Sequence, residues 1–207
     1  MSTIKLYDVP LSGHAHRPRA LLKLLNIEYQ TIAVDMMSGE HKSPEFLKIN
    51  PLGQVPAFID DSVVLRESTA ILVYLALKYD DKRTWLPSDP AAAAEVQAWL
   101  SVSSKEVYEG PCAARISKLF KAPIDHGKAV EKAYQLFDTL FEPHLEKNNW
   151  LVGEKPTIAD IANYAYIATA HEGEISLDNY PHISAWLKRI EMLEGFEKMP
   201  SAADIMA

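Results

Sequence analysis

"NPLGQVPAFID", Asn50 to Asp60, is the stretch on which the reading of this chain turns. Pro56 stands where an apolar run, Ala57-Phe58-Ile59, reads as the start of a strand. A proline has no amide hydrogen to give a sheet ladder, so it belongs at an edge, a first position or a bulge. The residues after it look like a hairpin, with Asp60-Asp61-Ser62 as the turn and Val63-Val64-Leu65 as the return strand. Val55-Pro56 is a candidate for a cis bond, because only X-Pro bonds adopt cis at a modest cost of roughly 0.5–1 kcal/mol. A cis bond here turns the Val55 amide and carbonyl outward, free to pair with an extended, peptide-like ligand by strand addition. A proline at an edge strand, with no ligand at all, is the plain structural alternative.

Working outward toward the N-terminus, residues 3–7, "TIKLY", alternate like a short strand. "LSGHAHRPRALLKLLN" follows as a helix with Leu21, Leu22, Leu24 and Leu25 on its apolar face, Pro18 in its first turn and Asn26 as its stop. "EYQTIAV" supplies a second strand, and a strand, helix, strand order of this length predicts a parallel pair. Ser43-Pro44 reads as an N-cap and first helical residue of a short helix, "PEFLKI". Beyond the hairpin, "ESTAILVYLALKYD" is a helix with Ser68 as its N-cap. The order is βαβαββα, assigned to a domain over residues 1–80.

"DDKRTWLPSDP" then punctuates the chain like a linker. Past it, residues 88–207 carry only helical spacing, which predicts an all-α domain. Within that half Thr157 and Asp160 are placed as a capping box opening a buried helix.

Charge and composition narrow the function. Lysine and arginine total 21 against 28 acidic residues, a balance of −7 that argues against nucleic acid as partner. No run of about 18 apolar residues is present to span a bilayer, and "MSTIKLYDVP" lacks the plan of a secretory signal. The single cysteine, Cys112, fits a reducing compartment, so a soluble, cytoplasmic protein with no membrane association is expected. His14, His16 and His41 have no metal-ligand framework around them, and no metal is expected.

Arg66-Glu67-Ser68-Thr69-Ala70 carries more specific chemistry. The free amides of a helix start, with the Ser68 hydroxyl, suit a carboxylate. Glu67 beside them offers a partner for an ammonium group, so together they suit the end of an α-amino acid.

A serine beside the first strand, the N-P-x-G-x-V-P segment and an E-S pair about a dozen residues later resemble the cytosolic glutathione S-transferases, in a serine-type, bacterial-like form. "LVGEKPTIADIANYAY" is similar to that family's buried helix, so the resemblance spans essentially the whole chain. It implies an N-terminal thioredoxin-like domain followed by a C-terminal helical-bundle domain, with glutathione as co-substrate. Glutathione would pair with Val55 beside Pro56, and its γ-glutamyl end would rest on Glu67 and Ser68. Gln54 would assist, and Lys42, with His41 as competitor, would reach the glycine carboxylate.

Although the protein is acidic overall, His14, His16, Arg17, Arg19 and Lys23, with Lys42, would give the site local positive potential. The chemistry needs a thiolate, and a thiol of pKa near 8.5 is only about 3% ionised at pH 7. Lowering that pKa by roughly two units is worth about 2.7 kcal/mol. Ser12 is the expected hydrogen-bond donor to the sulfur and His14 its rival. Tyr108, Cys112 and Arg115 would face a hydrophobic electrophilic small molecule, although a buried structural role for Cys112 is the plainer reading. The resemblance further implies a homodimer, with Ser103, Ser104 or Glu106 completing the neighbour's site.

Thioredoxin-like redox proteins place C-x-x-C where this chain has Ser12-Gly13-His14-Ala15, which disfavours exchange through a protein thiol. Two alternatives stay open beside conjugation. One is reduction of disulfides or peroxides through glutathione itself, and the other is a non-catalytic binding module.

Overall fold

The computed structural model describes residues 4–206. Strand β1 (Lys5–Asp8) covers most of the stretch expected to be extended, with Thr3 lying outside the described residues. β1 pairs parallel with β2 (Gln30–Ala33) and antiparallel with β3 (Ala57–Asp60), which turns into β4 (Val63–Leu65). The sheet order is β2-β1-β3-β4. Asp61, at the hairpin tip, has φ 53°, a backbone setting that aspartate tolerates better than most residues.

Strand alternation assigns each side chain to a face. Leu6 and Phe58 enter the main core, which continues into the helical half. Tyr7 and Ala57 point the other way, into a small cluster with Val34 and Phe46. Phe46 comes from α2 (Pro44–Ile49), capped by Ser43, whose hydroxyl accepts from the Phe46 N–H at 3.1 Å.

Helices α1 (Gly13–Leu24) and α3 (Ser68–Tyr79) pack together, and both touch α8 (Ile158–Ala168). Two local expectations change here. Pro18 lies inside α1 and not in its first turn, because Ser12 starts the helix earlier. The donor missing at Pro18 is the one that would reach the His14 carbonyl. Ser68 does not cap α3: it is the first helical residue, Glu67 takes the cap position, and no side chain caps that end.

The helical half contains α4 (Pro90–Ser104), α5 (Ala113–Leu119), α6 (His126–Leu136), α7 (Glu142–Leu145), α8, α9 (Pro181–Glu191) and α10 (Ala202–Met206). π-Helical turns at Tyr108–Cys112 and Phe137–Phe141 carry the path through Pro111 and up to Pro143. Proline breaks the i→i−4 ladder, and a wider turn is one way to continue past the gap. Gly110 is needed there, because a Cβ would sit 3.0 Å from the backbone of Ala133 on α6.

The segment joining the halves is docked. Asp80 accepts from the Trp85 N–H at 2.7 Å, and the Trp85 carbonyl accepts from the Ile158 N–H at 2.9 Å. Among the described residues no helix is long and apolar enough to cross a membrane.

Candidate functional site

Two helix starts converge on a cleft of about 670 Å³ between the sheet domain and the helical half. Ser12 and His14 come from the start of α1, Glu67 and Ser68 from the start of α3, and Gln54, Val55 and Pro56 from the loop entering β3. The Val55-Pro56 bond is cis, and Val55 lies ahead of the ladder, which begins at the Tyr7–Ala57 pair. Tyr108, Arg115 and Tyr166 close the opposite wall.

At the start of α1 the Ser12 hydroxyl accepts from the Ala15 N–H at 3.2 Å, as an N-cap does. That bond uses a lone pair and leaves the hydroxyl proton available to an anion in the cleft. The positive end of a 12-residue helix favours the same anion.

At the start of α3 the Ser68 hydroxyl accepts from Arg17 Nη1 at 2.9 Å. With the side chain committed sideways, the first-turn amides of α3 are left uncapped beside the cleft. Uncapped amides at a helix start are an anion site.

Arg17 is the residue that sequence reasoning undervalued. It is 1% exposed and lies at the base of the cleft. Its Nε donates to the Ala162 carbonyl at 2.8 Å, Nη2 to the Ser103 carbonyl at 2.9 Å, and Nη1 to Ser68 and to His14 Nδ1, both at 2.9 Å. Its position one turn after His14 is a signal the sequence contains, since residues three apart share a helix face.

His14 is pushed down to a pKa of about 3, first by burial and then by the Arg17 charge, so its ring is neutral at ordinary pH. The ring lies edge-on to Tyr166, 5.2 Å between centroids, and tilted 5.9 Å from Tyr108. Tyr166 has no comparable local signal in the sequence; only the fold brings α8 over Gly13.

The other expected cations do not serve the cleft. Arg19 is paired with buried Asp8 at 2.5 Å, and Lys23 with Glu197. His16 is buried, stacked on Tyr164 and bonded to the Glu197 carbonyl at 2.7 Å. Lys42 Nζ donates to the carbonyls of Leu52 at 3.1 Å and Gly53 at 3.2 Å, and neither it nor His41 is among the residues lining the cleft. An ammonium has three donors, so these two bonds orient Lys42 and leave it one N–H.

On the far wall, Tyr108 and Arg115 line the cleft and Cys112 does not. The Cys112 thiol is buried against Tyr166, and burial pushes its pKa up to about 11, which keeps it a protonated core side chain. Arg115 is held by Glu172 at 2.5 Å and by the Leu11 carbonyl at 2.8 Å. Ser104 lines this chain's own cleft. Ser103 is fully buried, donates to the Leu100 carbonyl at 2.7 Å, and cannot reach a neighbouring subunit. Glu106 pairs with Lys105 at 3.3 Å, away from the cleft. Met36, Met37, Ile116, Phe120 and Ile205 add an apolar rim that the sequence did not single out. Among the described residues no group of three or more His, Cys, Asp or Glu side chains is placed to hold a metal ion.

Comparisons with known proteins bear on this geometry. Residues 2–77 match the family model "Glutathione S-transferase, N-terminal domain", and residues 113–194 match its C-terminal counterpart. The chain is 34% identical to "Glutathione S-transferase 3" of Zea mays, over 98% of this chain and 95% of that one. It is 33% identical to "Glutathione S-transferase PARB" of Nicotiana tabacum, over 95% and 98%. A solved glutathione S-transferase from Pseudomonas fluorescens superposes with TM-score 0.90 at 32% identity, covering 97% of this chain and 100% of that one. A glutathione transferase homologue from Drosophila mojavensis, solved with bound glutathione, superposes with TM-score 0.85 at 25% identity, covering 94% and 90%.

Proposed function

We propose how the cleft works from one premise: the chain belongs to the glutathione S-transferase family. The protein is a glutathione transferase, and glutathione is its co-substrate. The γ-glutamyl carboxylate lies against the uncapped first turn of α3, and Glu67 takes the ammonium group. The tripeptide backbone runs along Val55 and Pro56, with Gln54 contributing from the same wall. The cysteinyl sulfur meets the Ser12 hydroxyl at the positive end of α1.

The observation that carries this reading is the Ser12 hydroxyl. It takes the Ala15 N–H on a lone pair, so its own proton is left to stabilise a thiolate. Ser12 stays unmodified. The sulfur lone pair attacks the electrophilic carbon and a C–S bond forms. In a displacement the bonding electrons depart with the leaving group; in an addition they move to the acceptor, which then takes a proton.

The second substrate is a hydrophobic electrophile. Met36, Met37, Ile116, Phe120 and Ile205 favour an apolar acceptor, with Tyr108 and Arg115 meeting its polar edge. In this division of labour residues 1–80 hold glutathione and residues 88–207 supply most of the acceptor wall. The working form is a cytoplasmic homodimer. Leu52, Val64 and Leu77, each about half exposed on the sheet domain, support a covered face there, and a single free cysteine suits a reducing compartment. Sedimentation as a lone 23.2 kDa chain would rule out the dimer.

Titration of the bound thiol tests the mechanism. In Ser12→Ala its apparent pKa should rise by about one to two units, with kcat/KM near neutral pH falling roughly ten- to a hundredfold. An unchanged pH profile would move the role to His14 or the α1 amides. A panel of electrophiles, disulfides and hydroperoxides tests the reaction class, and turnover of disulfides alone would replace conjugation with reduction.

A further inference from the structure

Arg17 holds its charge with almost no exposed surface, on four neutral acceptors drawn from α1, α3, α4 and α8. One of these contacts fixes a proton. A guanidinium has donors only and does not give up its charge in a protein. The hydrogen in the 2.9 Å contact between Arg17 Nη1 and His14 Nδ1 therefore belongs to Arg17, and Nδ1 must present a lone pair. A neutral imidazole whose Nδ1 is an acceptor carries its single proton on Nε2.

We propose that Arg17 is a positioning residue for the transferase chemistry: it holds His14 as the Nε2–H tautomer, so that the ring presents one fixed donor to the anion in the cleft. The His14 ring also packs against the Tyr166 and Tyr108 rings, at 5.2 and 5.9 Å between centroids. Burial and then the Arg17 charge keep the ring neutral, so it carries one proton only. The same Nη1 also takes a lone pair of Ser68, which leaves the Ser68 hydroxyl proton free to donate to an anion lying at the start of α3. Nε and Nη2 rest on carbonyls of α8 and α4, so the docking of the helical half onto α1 sets where the His14 ring sits. What the donor meets, a glutathione thiolate, rests on the function proposed above; the tautomer does not.

Nitrogen NMR of the ¹⁵N-histidine-labelled full chain without glutathione tests the tautomer directly, with the His14 signals assigned by their loss in His14→Gln. Between about pH 5 and pH 8 we expect an acceptor-type Nδ1 and a protonated Nε2 that do not titrate. A protonated Nδ1, an averaged mixture of tautomers, or a ring that charges within that window overturns the proposal. The second arm uses Arg17→Met, with Arg17→Lys as the charge-conserving variant. The bound thiol's pKa should rise by about one unit in Arg17→Met, lowering kcat/KM roughly tenfold near pH 6.5 and much less near pH 9. Arg17→Lys, which keeps the charge but cannot fork to all four acceptors, should recover part of that loss. A loss equal at every pH marks a merely structural role and refutes the positioning role. If Arg17→Met does not fold, the wild-type NMR result decides alone. Absence of conjugation by the wild-type protein would count against the proposed function and leave the tautomer result standing.

Discussion

Gly13 shows how little room the site leaves at the scale of one residue. A Cβ there would fall 2.6 Å from the Tyr166 ring, closer than atoms pack without displacement. Tyr166 in turn supports the His14 ring. Gly13→Ala should therefore push Tyr166 aside, cost about 1–3 kcal/mol, and lower conjugation more than it lowers glutathione binding. Denaturant melts and separate kcat and KM values check this, and wild-type kinetics with unchanged stability would refute the crowding. Single-residue roles were legible here when the deciding partner was a near neighbour. Ser12 lies next to the helix it caps. Ser68 was misjudged as a cap because its partner, Arg17, lies 51 positions away in the chain. For Cys112 the sequence left a buried role and a cleft role side by side, since the facing of a helix is not a local property.

Helix α8 carries the strongest argument at the scale of an element. It is buried along almost its whole length, so its terminal amides need partners from the protein. The Ile158 N–H goes to the Trp85 carbonyl at 2.9 Å and the Ala159 N–H to the Thr157 hydroxyl at 3.2 Å. Asp160 ties the cap to its surroundings: Oδ2 accepts from the Thr157 N–H at 2.8 Å, and Oδ1 from the Leu151 N–H at 3.0 Å and Trp186 Nε1 at 2.9 Å. Burial raises the pKa of this carboxyl while these donors hold it down. Thr157→Ala should lose about 1 kcal/mol. Asp160→Ala, which strands several buried donors, should lose about 2–4 kcal/mol. Urea midpoints would separate the two, and equal losses would deny Asp160 its extra donors. Capping box, hairpin and strand alternation were readable because turn chemistry and side-chain period are written within a few residues. The π-helical turns were not: proline marks where a helix ladder breaks but not how the chain continues, and at Tyr108–Cys112 the path also depends on Gly110 meeting Ala133 on another helix.

For the whole molecule, the buried histidines set a pH limit. His16 is lowered to about 4, chiefly by burial, with its bond to the Glu197 carbonyl pulling the other way and Arg19 and Arg17 adding to the fall. An unfolded histidine binds its proton near pH 6.5, where the folded ring stays neutral. Stability from His16 is therefore complete above about pH 6.5 and declines as pH falls toward 4. The full loss is on the order of 3 kcal/mol. His14, lowered to about 3, adds to it in the same direction. His16→Gln, which keeps a donor for the Glu197 carbonyl, should flatten the fall in melting temperature across this range; an equally steep fall would remove His16 as a cause.

The docked connector has a further consequence for how the molecule comes apart. Asp80, Trp85 and Ile158 tie the Asp80–Asp89 stretch to the entrance of α8, and Trp85 itself is buried. A protease needs several residues of free, extended backbone, and a buried Trp85 denies it that without wider opening. Limited digestion should thus yield either intact chain or small fragments, with no long-lived pair of halves. Calorimetry should record a single heat-absorption peak.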